Sequence, residues 1–320
     1  MRREGSVFQG LGAVVLKELS DQMSSIRIFV LELLVAAIAF VALYRAIGRL
    51  ADTTAEDPFV FLRLFTVDTP PVPSFAGLLG FLIPLVAIGL GFDSVSSEHN
   101  RRTLSRVLSQ PIYRDALLMG KFLAGMATLG IMLLGLWLLV IGFGLYLLGV
   151  PPSGDEVLRS LVFLIIALFY CGVWLALAML LSIVFRSAAT SALVALGLWL
   201  FFVLIWPILS SALAQVIAPQ DIRYVLLGLP TPATVEMQQA LARLSPNQLF
   251  AESVLAILSP STRSLGPIFL EQLQGAVVGT ALPLRQSLLI AWPQIVGLIA
   301  STIVLFVAGY VVFQRQEVRA

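Results

Sequence analysis

His99 stands beside Glu98, and an imidazole next to a carboxylate is the usual material of general acid–base catalysis. Adjacent residues on a helix diverge, however, and side chains that face each other sit three or four positions apart. The pair reads as a solvated polar turn. Cys171 lies inside an apolar block, where a thiol packs as a small hydrophobe. With one cysteine and one histidine, the chain lacks the ligands for a zinc site, a haem site or a disulfide framework. A phosphate-cradling loop needs an upstream glycine and then Gly-Lys followed by Ser or Thr. Gly120-Lys121-Phe122 has neither the hydroxyl nor that glycine. Glu32 is the one charge candidate well inside an apolar block, where burial in hydrocarbon is costly. A carboxylate near the interface, or one paired with an arginine such as Arg27 and facing the bundle, is its simplest reading, and substrate handling the alternative. Asp93 reads as a solvated helix end. A proton-driven carrier would line its spans with several acids or histidines, which this chain does not.

The elements that position these residues follow from composition. The 320 residues are 59% hydrophobic and 12% charged, about half the charge of a soluble globule. Net charge is +2, which gives no basic excess for nucleic acid. The apolar residues gather in blocks of bilayer-crossing length, at about 26–47, 75–95, 118–148, 158–185, 188–214 and 287–313. They lack the alternation of a β-barrel. The expected fold is an all-α polytopic membrane protein with six transmembrane helices, forming a single transmembrane domain over 1–320. Only Arg186 and Ser187 separate the fourth and fifth blocks, a tight hairpin. Trp199 and Trp206, seven apart, are expected to share a face.

Arginine and lysine concentrate on one side: Arg2, Arg3, Lys17 and Arg27, then Arg101, Arg102, Arg106, Arg114 and Lys121, then Arg186, Arg315 and Arg319. The other side holds Arg45, Arg49, Arg63, Arg159 and arginines spread through a long loop. This asymmetry predicts cytoplasmic termini in the cell membrane. Phe8, Leu11, Val15 and Leu19 recur at three- and four-residue steps, predicting an interfacial helix at about 6–22, with Lys17 and Glu18 on other faces. A second helix is expected at about 96–112, capped by Ser96 or Ser97 and ended by Pro111. Leu104, Val107 and Leu108 form its apolar stripe, and Arg101, Arg102 and Arg106 supply charge. The loop at about 215–286 carries helix starts at Thr231-Pro232 and Ser245-Pro246, with a third apolar run near Leu265–Leu282.

The stretch from Asp93 to Lys121 resembles the permease subunits of ABC-2 type transporters. In that family a glutamate is followed by Thr-Leu, a Leu-Ser-x-Pro-Ile-x-Arg run and Gly-Lys. Glu98, Thr103, Leu104, Leu108, Ser109, Pro111, Ile112, Arg114, Gly120 and Lys121 match. Arg102 departs from it, standing where these permeases usually have glycine. Lys17-Glu18 resembles the family's interfacial connecting helix. The chain is most similar to compact, NosY-like permeases without a fused ATPase.

The resemblance implies two permease subunits, identical here, with two separate ABC ATPase subunits docked beneath. ATP and magnesium would sit on those ATPases, leaving no catalytic residue, metal or cofactor in this chain. Residues 96–112 would form the coupling helix, with Glu98, Arg101, Arg102, Thr103, Leu104, Arg106, Val107 and Leu108 at the contact. The helices before the last span would form an extracytoplasmic gate, with the third run re-entrant, or dock an accessory protein. Export across the lipid bilayer is the implied activity. Force transmission to an external partner, or ATP-independent transport, are the alternatives.

Overall fold

Helices begin where polar residues interrupt the apolar blocks. The computed structural model describes residues 10–50, 59–97, 114–149, 151–219, 224, 231–265 and 281–315. Ser74, Ser187 and Thr231 each accept a hydrogen bond from the backbone N–H three residues on. Ser153 and Glu156 cap one another: the Glu156 N–H donates to Ser153 Oγ and the Ser153 N–H to Glu156 Oε2. Such caps satisfy donors that a first helical turn leaves without partners.

Among the described residues the order is α1 (Leu11–Met23), α2 (Ile26–Leu50), α3 (Val60–Thr66), α4 (Phe75–Gly91), α5 (Arg114–Leu148), α6 (Gly154–Val184) and α7 (Ala188–Leu200). A π-helical turn (Phe201–Ile205) leads into α8 (Trp206–Ile217), followed by α9 (Pro232–Ala242), α10 (Pro246–Leu258) and α11 (Leu284–Arg315). Among the described residues, five helical stretches are long and apolar enough to cross a membrane: α2, α5, α6, the run from α7 through α8, and α11. The chain is a multi-pass membrane protein. The second expected block forms α4, which has 17 residues and stops at Gly91 rather than 95. At 1.5 Å per residue α4 is roughly 26 Å long, a little under the hydrocarbon thickness of about 30 Å.

Beyond its polar first turns, helix α6 is apolar on nearly every face, as suits a helix mostly surrounded by others. Tyr170, Cys171 and Trp174 are fully buried on it, and α4, α5, α10 and α11 pack around it. The contact with α4 is close because Gly91 has no side chain; a Cβ there would lie 2.7 Å from that of Ala178. By contrast, α7, the π turn and α8 leave Leu193, Leu204, Ile208 and Val216 exposed. Trp199 and Trp206 do not share a face. The π turn between them widens the helix by about a residue. Trp199 meets Phe81 of α4 edge-on, while the Trp206 Nε1–H donates to the Leu241 carbonyl of α9 at 3.1 Å.

The segment expected as a loop at 215–286 enters the bundle. α10 packs against α4, α6 and α11, burying Phe250, Val254, Ala256, Ile257 and Leu258. The run near Leu265–Leu282 lies mostly outside the described residues.

Candidate functional site

One end of the bundle collects the starts of α2 and α5 and the ends of α4, α6 and α11. Helix α1 lies along the first turns of α5. Gly120 makes this approach possible: a Cβ there would fall 2.6 Å from Val14 Cγ1 and 2.9 Å from its Cβ. Directly after Gly120, Lys121 donates through Nζ to Glu18 Oε1 at 3.0 Å, with the two side chains only 6% and 13% exposed. Gln22, one turn beyond Glu18, accepts from Thr128 Oγ1 at 2.6 Å. Leu11, Val14, Glu18 and Gln22 thus form one inward stripe. Glu18 belongs to the packed face, not to the outer faces expected for it, because Lys121 supplies a buried partner. Leu11, Val15 and Leu19 are half-buried, and Leu16 is exposed. Lys17 bridges Glu18 and Asp21 at 3.0 and 3.1 Å. Burial pulls the Lys17 ammonium down, but the two carboxylates outweigh it and hold its pKa above the ordinary lysine value.

Before residue 98 the chain is held twice. Arg27 Nη1 meets Asp93 Oδ2 at 2.8 Å and stacks over the Phe92 ring at 5.2 Å. Arg27 therefore pairs with Asp93 and not with Glu32, and Asp93 is not simply solvated. Helix α2 starts where α4 ends, while Glu32 lies further along α2. Glu32 is half-buried. The Val95 and Ser96 N–H groups both donate to Ser182 Oγ at 3.1 Å, near the end of α6. After residue 113 the chain is held again, where Asp115 accepts from the Tyr310 hydroxyl at 3.1 Å and from Gln314 Nε2, both on α11. Glu98, Arg101, Arg102, Thr103, Leu104, Arg106, Val107 and Leu108 lie outside the described residues, as does Phe8.

The opposite end carries a polar framework that loop counting missed. Arg159 is fully buried, donating to Asp155 at 2.7 Å, the Ile257 carbonyl at 3.0 Å, Ser287 Oγ at 3.1 Å and the Leu282 carbonyl. Glu156 also accepts from the Phe61 N–H of α3 at 2.9 Å. Glu252 of α10 accepts from Arg243 at 2.9 Å, Gln248 at 2.9 Å and Gln294 of α11 at 2.8 Å. The Ser153-x-x-Glu156 spacing is a capping signature, so Glu156 was findable. Asp155 and Gln248, each four residues before Arg159 and Glu252, are local helical partners that sequence reasoning overlooked, while Ile257, Leu282, Ser287 and Gln294 come from segments distant in sequence. Among the described residues, no group of three His, Cys, Asp or Glu side chains could hold a metal ion. Among the described residues, the polar groups named at each end join helices.

Residues 12–318 match the family described as ABC-2 family transporter protein. Two curated relatives, each named "Probable ABC transporter permease protein NosY", are similar over 177 residues. The one from Pseudomonas aeruginosa is 33% identical and the one from Stutzerimonas stutzeri 30%. Each match covers 52% of this chain and 62% of the relative, so the chain spans under two thirds of these relatives' length. With a family match that runs through nearly all of its helices, the chain belongs to the ABC-2 transporter family.

Proposed function

We propose that this chain is the membrane-spanning permease subunit of an ATP-driven exporter. It pairs with a second, identical permease and is moved by two separate ATPase subunits, which carry ATP and magnesium. On this reading α4 is the sixth span, 1–320 is one permease domain, and both termini are cytoplasmic. The translocation path lies between the two permeases. Residues 96–112 are the coupling helix. One observation carries the proposal: the chain is fastened immediately before and after this segment. Arg27–Asp93 and Ser182 hold its entry to α2 and α6, and Asp115 holds its exit to α11. A push on such a segment moves several spans together, the rigid-body transition that alternating access needs. In liposomes the chain alone should hydrolyse no ATP, and adding its ATPase should give hydrolysis and ATP-dependent efflux. Efflux by the chain alone, driven by an ion gradient and indifferent to ATP, would sink this reading in favour of a carrier.

A second reading keeps the ATPase and replaces export by force transmission to an extracytoplasmic partner. It is favoured by α10, which packs on α4, α6 and α11 and joins α11 through Glu252 and Gln294. Motion of those spans would reach the far end directly. Cargo trapped in the purified complex separates the two readings.

A further inference from the structure

We infer that the groove between α2 and α5, at the α3 end of the bundle, binds the headgroup of an anionic phospholipid. The groove has a volume of about 340 Å³ and is lined by Tyr44, Arg45, Gly48 and Arg49 of α2, with Thr69 and Leu147. Arg45 and Arg49 are one helical turn apart and therefore on the same face, and both are exposed. Arg45 spends one donor on a long 3.4 Å hydrogen bond to the Pro70 carbonyl. Arg49 has a contact of its own within the chain. A guanidinium carries five N–H donors, so the one long bond of Arg45 leaves others for a ligand, and Arg49 adds its positive charge beside it. Between the arginines, Gly48 keeps the floor open: a Cβ there would meet nothing within 4 Å.

The surroundings select a lipid. Toward the membrane centre, the Phe40 and Phe143 rings meet edge-on at 5.0 Å and close the α2–α5 seam. Val41 and Leu138 are exposed at that depth, and Tyr44 and Tyr146 are exposed near the arginines, Tyr146 at 82%. Aromatic side chains at the level of basic residues mark the membrane–water boundary. Arg27 and Arg45 are eighteen residues apart on α2, roughly 27 Å at 1.5 Å per residue. They therefore sit at the two faces of a hydrocarbon layer about 30 Å thick. A phosphate between Arg45 and Arg49 would have charge-assisted, fork-shaped donors above and an apolar wall for its acyl chains below. A headgroup with net negative charge gains most, because a zwitterionic one also brings a cation to the same arginines. The inference holds whichever way the bundle is inserted; with the orientation proposed above, the lipid is in the outer leaflet.

The test is native mass spectrometry of the full-length chain released from nanodiscs of phosphatidylglycerol and phosphatidylethanolamine in equal parts. The wild type should retain phosphatidylglycerol over phosphatidylethanolamine by up to about thirtyfold, given the attraction expected for two basic residues. Arg45→Gln with Arg49→Gln should erase that preference, and Arg45→Lys with Arg49→Lys should restore most of it. Gly48→Leu keeps both charges and fills open space, so it should fold and yet lose the retained lipid. No preference in the wild type, or a preference that both the glutamine pair and Gly48→Leu leave intact, would overturn the assignment. Loss with the glutamine pair but not with Gly48→Leu would mean surface attraction without the groove, and overturns it too. Displacement of the lipid by millimolar inorganic phosphate would identify a free-anion site instead.

Discussion

Glu18 and Lys121 are 103 residues apart in sequence and meet at 3.0 Å in a nearly closed pocket between α1 and α5. Gly120 lets the two helices approach, and Val14 fills the space that a side chain would need. A buried ion pair is poor evidence of net stability, and removing one partner here weakens rather than empties the other's surroundings, because Glu18 keeps the exposed Lys17 and Lys121 keeps a further contact within the chain. Lys121→Met or Glu18→Leu alone should therefore destabilise the α1–α5 junction by roughly 1–3 kcal/mol, less than a fully stranded charge would. Replacing both by Met and Leu should recover most of that loss. Thermal unfolding of the four proteins of this cycle in detergent measures it, and additive losses would argue against the pair.

Gly120→Val should prise α1 from α5, since its Cβ would meet Val14 well inside contact distance. Gly135→Val is the control, because a Cβ at Gly135 meets nothing within 4 Å. A disulfide between cysteines introduced at Gln22 and Thr128 reports the junction. It should form readily in the control and poorly in Gly120→Val. Equal yields would mean that α1 is held elsewhere.

Ser182→Ala leaves two buried N–H groups, those of Val95 and Ser96, without their acceptor. The expected loss is about 1–3 kcal/mol per stranded donor, less any water that enters. Because this hydroxyl fastens the entry of 96–112 to α6, ATP hydrolysis by the assembled complex should continue while efflux falls severalfold. Parallel loss of both activities would point to misfolding rather than lost coupling.

Asp93→Asn should act differently. The Arg27–Asp93 pair is partly exposed, 47% and 24%, and such pairs contribute about 0.2–1 kcal/mol. Stability should barely change. The efflux-to-hydrolysis ratio should drop, and in the wild type it should drop likewise as salt screens the pair. A ratio unaffected by either change would remove Arg27–Asp93 from the coupling path.

Much of the framework was legible in sequence because bilayer physics writes it in long apolar runs. Ser74, Ser153, Ser187 and Thr231 stand at helix starts for a local reason that periodicity can read. Lys17, Glu18, Gly120 and Lys121 stood out by family likeness, but their meeting depends on how α1 lies across α5. Glu18 was expected on an outer face because a single helix does not reveal its partner's lysine. Arg27 was given to Glu32 because a sequence neighbour is the visible choice. The position of Asp93 depends on α4 returning beside α2. Arg159 was counted as a loop charge because its acceptors, Ile257, Leu282 and Ser287, come from two later segments. The face shared by Trp199 and Trp206 was lost to one π turn, which periodic reasoning assumes away.

The central claim is that residues 96–112 receive force from an ATPase and pass it to fastened helices. Pull-down of the ATPase from native membranes by the tagged permease tests it most directly, comparing wild type with Leu104→Asp and Leu108→Asp combined. The wild type should bring the ATPase with it, and the double variant should lose it while keeping the wild-type melting behaviour. Undiminished recovery of the ATPase with the variant would contradict the account.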